Sequence, residues 1–268
     1  MKHIHEYEIL LDFLVRVVES TKGTLYSKET AWIKDTQPLG AKLFMHCGSV
    51  YHLAHNTRVP NVLNKGISFV DHHSIIVLVR TIHELYLAFN YIYIAPSTNE
   101  LRAFRHSIWE LGAFLDRQKF PATLEESKRK QEEEKSVVKE LTDAVEKDKI
   151  FKSLSASEQQ KALRGEWRLN YGWVDLAEFA SLDKEQFRSA YRYLCSYAHT
   201  GHLSIFQMQA EPDDSFSIID TWIDSTMAVI SHFIYDYMKL YPKSVGLFRE
   251  FPEAEKLVYV YDGIGREK

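Results

Sequence analysis

The sequence predicts an all-α protein, a multi-helix bundle with a charged helical arm, and three observations lead there. Glycine and proline are scarce, 11 and 7 in 268 residues, and they fall between periodic segments, where helix punctuation belongs. Apolar residues recur at helical spacing through most of the chain. Alternating, strand-like patterns are rare, and the best strand candidate, residues 216–219, is short.

The elements follow in order. A first helix spans about residues 4–20, with Leu10, Leu11, Phe13, Leu14 and Val17 on its apolar side. A second spans about 39–56. A third spans about 70–94, apolar nearly all round and therefore central, and it ends before Pro96. A fourth runs over about 98–118 and stops at Pro121. Residues 124–150 differ in kind: sixteen charges of mixed sign stand between Glu125 and Lys149, and the apolar positions are few (Val138, Leu141, Val145). This reads as a solvated helix or a helical arm. Ser157 is then expected to cap a short helix reaching Leu163. Asp183 caps a helix over about 184–199, with Gly201 as its C′ residue, and a last helix covers about 220–241. The organisation is one bundle in two parts, residues 1–121 and 157–268, joined by a charged arm or linker over 122–156.

Composition excludes several classes. Hydrophobic residues are 45% and charged residues 26%, the profile of an ordinary globular chain. The two cysteines, Cys47 and Cys195, form no C-x-x-C pair, which argues against a disulfide framework and suits a reducing cytoplasm. The polar start, Met1 to Glu8, is not a signal peptide. Arg80, His83, Glu84 and Asn90 interrupt the longest apolar stretch, so no membrane span is expected. A net charge of −4 provides no global footprint for nucleic acid, so any RNA contact needs a local basic patch. No phosphate-binding glycine loop, dinucleotide fingerprint or serine-nucleophile elbow is present, and no cofactor is expected.

Two polar stripes stand out. On the third helix Arg80 and Glu84 are four residues apart, with His73 seven residues earlier and His83 on the edge of the stripe. A charge on so apolar a helix needs a partner, so the two should be largely buried and bonded to each other or to the 184–199 helix. On that later helix Arg188, Arg192, Ser196 and His199 form one stripe, opposite a core side of Phe187, Tyr191, Leu194 and Ala198. His199 sits at the helix C-terminus, where the dipole favours an imidazolium. Two arginines beside a titratable histidine suit phosphate handling; a surface polar face with a capping histidine is the simpler alternative. His72, His73, His199 and His202 lack the i, i+4 spacing of a helical zinc pair, so no metal site is assigned.

The run R-T-I-H-E-L at residues 80–85, then Trp167, L-A-E at 176–178 and Y-R-Y-L-C-S-Y-A-H-T-G at 191–201, resembles an uncharacterised bacterial family. That family pairs an R-x-x-x-E helix with a later Y-x-x-L-S-x-x-x-H element. The R-x6-H run from Arg192 to His199 also resembles the motif of the HEPN superfamily. Those are all-α bundles, many of them metal-independent ribonucleases of toxin and antiphage systems, with the motif at a dimer interface. The resemblance implies that Arg192 holds the scissile phosphate and that His199 moves protons at the ribose 2′-hydroxyl and the leaving oxygen. Ser196 is a further catalytic candidate, with Arg188, Arg80, Glu84 and His83 in support.

The leading expectation is therefore a HEPN-like endoribonuclease, homodimeric, acting on RNA in stress or phage defence. A second reading is a non-catalytic helical module that binds a partner protein through the 122–156 arm. A third is a small-molecule or nucleotide sensor built on Trp167, Tyr171 and Trp173.

Overall fold

In the computed structural model, which describes residues 3–199, 201–208 and 212–266, thirteen α-helices lie among the described residues, with one short hairpin. They are α1 (Ile4–Glu19), α2 (Thr36–Ala54), α3 (His72–Phe89), α4 (Asn99–Lys119), α5 (Glu125–Lys147), α6 (Lys149–Ser153) and α7 (Ala156–Leu163). They continue as α8 (Trp173–Phe179), α9 (Lys184–Ala198), α10 (His202–Met208), α11 (Pro212–Leu240), α12 (Leu247–Glu250) and α13 (Pro252–Asp262). The hairpin pairs β1 (Thr57–Val59) with β2 (Ile67–Phe69), antiparallel, and it leads into α3. Side-chain caps mark the starts of α3, α4, α6, α7 and α9. Asp71 caps α3 by accepting from the Ser74 amide at 3.0 Å, and Asp183 caps α9 from Gln186 at 2.8 Å.

Two boundaries differ from the sequence expectation. The cap of α7 is Ser155, not Ser157: its side chain meets the Glu158 amide while the Glu158 carboxylate returns to the Ser155 amide, a full capping box. The S-x-x-E spacing that defines this box begins at Ser155. Residues 216–219 are not a strand but part of α11, which starts at Pro212 and not near 220. Proline followed by Asp213 and Asp214 is helix-start chemistry, and it outweighs a four-residue alternation.

The chain forms two compact units. The first comprises Met1–Leu25, Lys34–Tyr91 and Trp173–Lys268, and the second comprises Tyr26–Ile33 and Ile92–Gly172. In the first, α3 is the central element, packed against α2, α9 and α11. Its Ile75, Ile76, Val79, Ile82 and Phe89 are fully buried. In the second, Phe104, Ile108 and Leu111 of α4 form a core with Val145, Phe151 and Ala162. The charged α5 docks on this core through Val138, Leu141 and Val145, while most of its other side chains are exposed. Glu134, buried on α5, is held by Arg117 at 2.6 Å. Among the described residues only His72–Ile94 is long and apolar enough to cross a bilayer. Since 61% of its most apolar window is buried, it is a core helix.

One buried carboxylate ties the first unit together. Asp236 on α11 is fully buried and accepts from Tyr86 Oη at 2.9 Å, Asn90 Nδ2 at 3.0 Å and Lys239 Nζ at 2.7 Å. The Arg266 guanidinium stands 3.8 Å away and bonds Asp262 at 2.7 Å. Asp236→Ala would leave these donors buried without their acceptor. The expected cost is about 3–5 kcal/mol, which at roughly 2–4 °C per kcal/mol lowers the melting temperature by about 6–20 °C. A calorimetric scan of the variant checks this; an unchanged midpoint would show that the carboxylate is not a structural tie.

Candidate functional site

Arg80 and Glu84 lie one turn apart on α3, so their side chains share a face. Arg80 Nε donates to Glu84 Oε1 at 2.9 Å. Across the interface with α9, Tyr191 Oη donates to the same Glu84 oxygen at 2.5 Å. Arg80 Nη2 reaches Tyr191 Oη at 3.4 Å, and Nη1 lies 3.2 Å from His199 Nε2. The guanidinium carbon is 5.5 Å from the Tyr191 ring centre. One guanidinium thus serves a carboxylate, a phenol and an imidazole at once. The two ionic side chains are only 20% and 23% exposed, and they bond both to each other and to α9, as the sequence led one to expect. Facing α9 at its edge leaves one side of the pair open to solvent.

The electrostatics follow from this geometry. Burial alone would lower the Arg80 pKa, but Tyr191 and Glu84 outweigh it and hold it above its ordinary value. Burial, together with the hydrogen bond to Glu84, pushes the Tyr191 phenol well up, so it remains a proton donor. A guanidinium has donors only, so a hydrogen bond at this contact would use His199 Nε2 as its acceptor. His199 is the C-cap of α9, with φ −106° and ψ 15°, and so leaves the straight helical path. The Gly201 amide closes the helix end on Ser196 O at 2.7 Å, placing Gly201 one residue beyond the expected C′ position.

The other sequence candidates are arranged differently. Arg188 pairs with Glu185 on its own helix. Arg192 is exposed, and among the described residues it has no hydrogen-bond or ion-pair partner. The Ser196 hydroxyl turns back to Tyr193 O at 2.7 Å and is not aimed at the Arg80 group. His83 lies on another face of α3, where its Nε2 meets Ser225 Oγ at 2.9 Å. It lines a cavity of about 400 Å³ with Phe187 and His232. His72 and His73 stack on each other at 4.0 Å, and His73 stacks on Tyr197 at 5.3 Å. Among the described residues no three His, Cys, Asp or Glu side chains are grouped to hold a metal ion.

Sequence reasoning missed Tyr191, which it placed on the core side of α9. Its ring does stack on Phe187, with centroids 5.5 Å apart, but its hydroxyl reaches the polar pair. The signal was the requirement itself: a half-buried carboxylate on an apolar helix needs a donor from the facing helix, and tyrosine supplies one at the end of an apolar ring.

Burial holds His83 down to a pKa of about 4, against 6.5 for an ordinary histidine. Burial, aided by the Arg266 charge, also lowers that of His232 despite its bond to Asp262. A lowered histidine pKa means that the unfolded chain takes up the proton first. Stability is therefore complete above about pH 6.5 and is lost as pH falls toward 4. At roughly 1.4 kcal/mol per pKa unit, His83 accounts for about 3 kcal/mol of that loss. Urea midpoints at neutral and mildly acid pH should show it, with a smaller drop in His83→Gln; equal drops would remove His83 from the account.

No curated protein and no solved structure matches the chain. Residues 41–216, which contain Arg80, Glu84, Tyr191 and His199, match the model of DUF5677, a family of unknown function, and the chain belongs to that family.

Proposed function

We propose that the chain is a metal-independent, HEPN-like endoribonuclease. The observation that carries this reading is the 3.2 Å contact between the Arg80 guanidinium and Nε2 of His199. A fixed cation beside a base is what phosphodiester transesterification requires: charge compensation on phosphorus, and a proton acceptor at the attacking hydroxyl. An entering phosphate oxygen takes the Arg80 N–H and frees His199 Nε2. That nitrogen accepts the ribose 2′-hydroxyl proton, the 2′ oxygen bonds to phosphorus, and the bond from phosphorus to the 5′ oxygen breaks. The products are a 2′,3′-cyclic phosphate and a 5′-hydroxyl, the latter protonated by the imidazolium form of His199 in a second copy across a two-fold axis. Arg192, exposed two turns before His199, binds the strand. Glu84 and Tyr191 are positioning residues that hold Arg80 in place.

A second reading is a non-catalytic module docking a partner protein along the outer face of α5, where most side chains are exposed. Much of that charge is already paired within the helix, Lys128 with Glu125 at 2.6 Å and Arg129 with Glu133 at 3.8 Å, which weakens it as a recognition surface.

The test is cleavage of labelled single-stranded RNA in the presence of a chelator. His199→Ala should slow cleavage by about 10²–10⁴-fold, while the lost helix-end interaction costs only about 0.3–1 kcal/mol. Arg80→Ala should act similarly, and Tyr191→Phe should lower kcat more than it changes KM. Light scattering should show a dimer. A wild-type protein that cuts no RNA, with His199→Ala lowering only the melting temperature, would leave the partner-docking reading in its place.

A further inference from the structure

We propose that the second unit carries a separate nucleotide-binding cleft, in which a base stacks on tryptophan rings and its phosphate meets Arg168. One wall is a single face of α4, where Trp109, Gly112, Ala113 and Asp116 follow at i, i+3, i+4 and i+7. The other wall is the turn from Gly165 to Tyr171, which brings Trp167, Arg168 and Tyr171 to the same space. The cleft measures about 540 Å³, inside the roughly 300–1,000 Å³ range of small-molecule sites.

The walls are held at a fixed distance by backbone, not by side chains. A Cβ on Gly165 would sit 2.2 Å from Gly112 Cα, and one on Gly112 would sit 2.5 Å from Gly165 O. Gly165 also has φ +70°, so glycine is required there on both counts. The turn is closed by Trp167 N to Gly165 O at 2.9 Å and Tyr171 N to Arg168 O at 2.9 Å. Lys161 pins it further, reaching Leu169 O at 3.2 Å and Asn170 Oδ1 at 2.7 Å. Two indoles and a phenol are thereby presented on a preorganised frame.

Charge selects the ligand class. The carboxylates at the mouth are matched locally, Asp116 by Lys119 at 2.8 Å and Glu166 by Arg164 at 2.8 Å. Arg168 places its guanidinium 5.9 Å from the Trp167 ring centre. An organic cation would have to compete with that guanidinium for the indole face. A planar base stacks on the same aromatic surface while its phosphate uses the cation. The base and phosphate come either from a free nucleotide or from an unpaired residue of an RNA strand. The RNA source rests on the ribonuclease reading; the free-nucleotide source does not.

The experiment titrates the full-length protein with AMP, adenosine and a short oligoadenylate while following tryptophan indole N–H signals by NMR. AMP or the oligoadenylate should move the Trp109 and Trp167 signals. Arg168→Ala should weaken AMP binding about tenfold while leaving adenosine little changed. Tyr171→Ala, at an exposed position, should weaken all three ligands about fivefold or more, and Trp167→Phe keeps the packing for comparison. Binding of the oligoadenylate without AMP assigns the cleft to RNA; binding of AMP assigns it to a free nucleotide. His199→Ala should bind as the wild type does, so a failure of cleavage and a failure of this cleft are told apart. The proposal is overturned if neither AMP nor oligoadenylate shifts the indoles at millimolar concentration, or if tetramethylammonium shifts them and AMP does not.

Discussion

A carboxylate with no access to water sets the geometry of the first unit. Asp236 sits in an apolar stretch of α11, and a lone charge there would be prohibitive. It is tolerated because α3 supplies Tyr86, its C-cap residue Asn90 stands one turn on, and α11 itself supplies Lys239. These bonds fix the rotation of α3 about its axis. With Tyr86 and Asn90 turned toward α11, the pair Arg80 and Glu84, six residues earlier in each case, lies about 120° round the helix. That is the side on which α9 packs. The orientation of the candidate site therefore follows from a charge buried elsewhere on the same helix.

The site is organised around a single guanidinium with a fixed fork of donors. Arg80 directs Nε to Glu84 and its two terminal nitrogens to Tyr191 and His199. A lysine ammonium, a point charge on a flexible stem, has no such spread of directions. Tyr191 links this group to the apolar side of α9 through its stack on Phe187, which in turn meets His83 edge-on at 5.8 Å. His83 and the half-buried site thus share a packed aromatic layer while facing different surroundings.

The fold class was legible because helix starts and stops are local. The Asp183 cap, the stop before Pro121 and the apolar faces of α1 and α3 all depend on residues within a turn or two. The Arg80–Glu84 pair was legible for the same reason, as an i, i+4 spacing on a helix too apolar to leave charges unmatched. What was hidden depends on distance in sequence. Tyr191 reads as core until Glu84, 107 residues away, asks for its hydroxyl. Asp236 finds Tyr86 across 150 residues. Gly112 and Gly165 explain each other only when their backbones touch. The docking of α5 was obscured by its charge, because three spaced apolar residues suffice to seat a helix whose remaining positions stay wet. His199 falls between these cases: its type and helix-end position were visible, but its C-cap dihedrals decide which arginine it meets.

That last difference changes the chemistry available. On a straight helix His199 belongs with Arg192, and two cationic arginines and an imidazolium would make a purely electrostatic anion site. In the folded chain His199 instead turns its Nε2 to Arg80, 3.2 Å from Nη1. On the proposed ribonuclease reading, an N–H of Arg80 would cover that nitrogen until a ligand arrives. An anionic oxygen is the natural competitor for that N–H, since it offers a charge-assisted bond in place of a neutral acceptor. On that reading, ligand capture and release of the base would be one event, governed by the same guanidinium. Because Glu84 and Tyr191 keep their hold on the other donors of Arg80, the cation remains in place when it changes partners. The half-buried setting serves this exchange: a fully buried Arg80 could not be reached by a phosphate, and a fully exposed one would not be held.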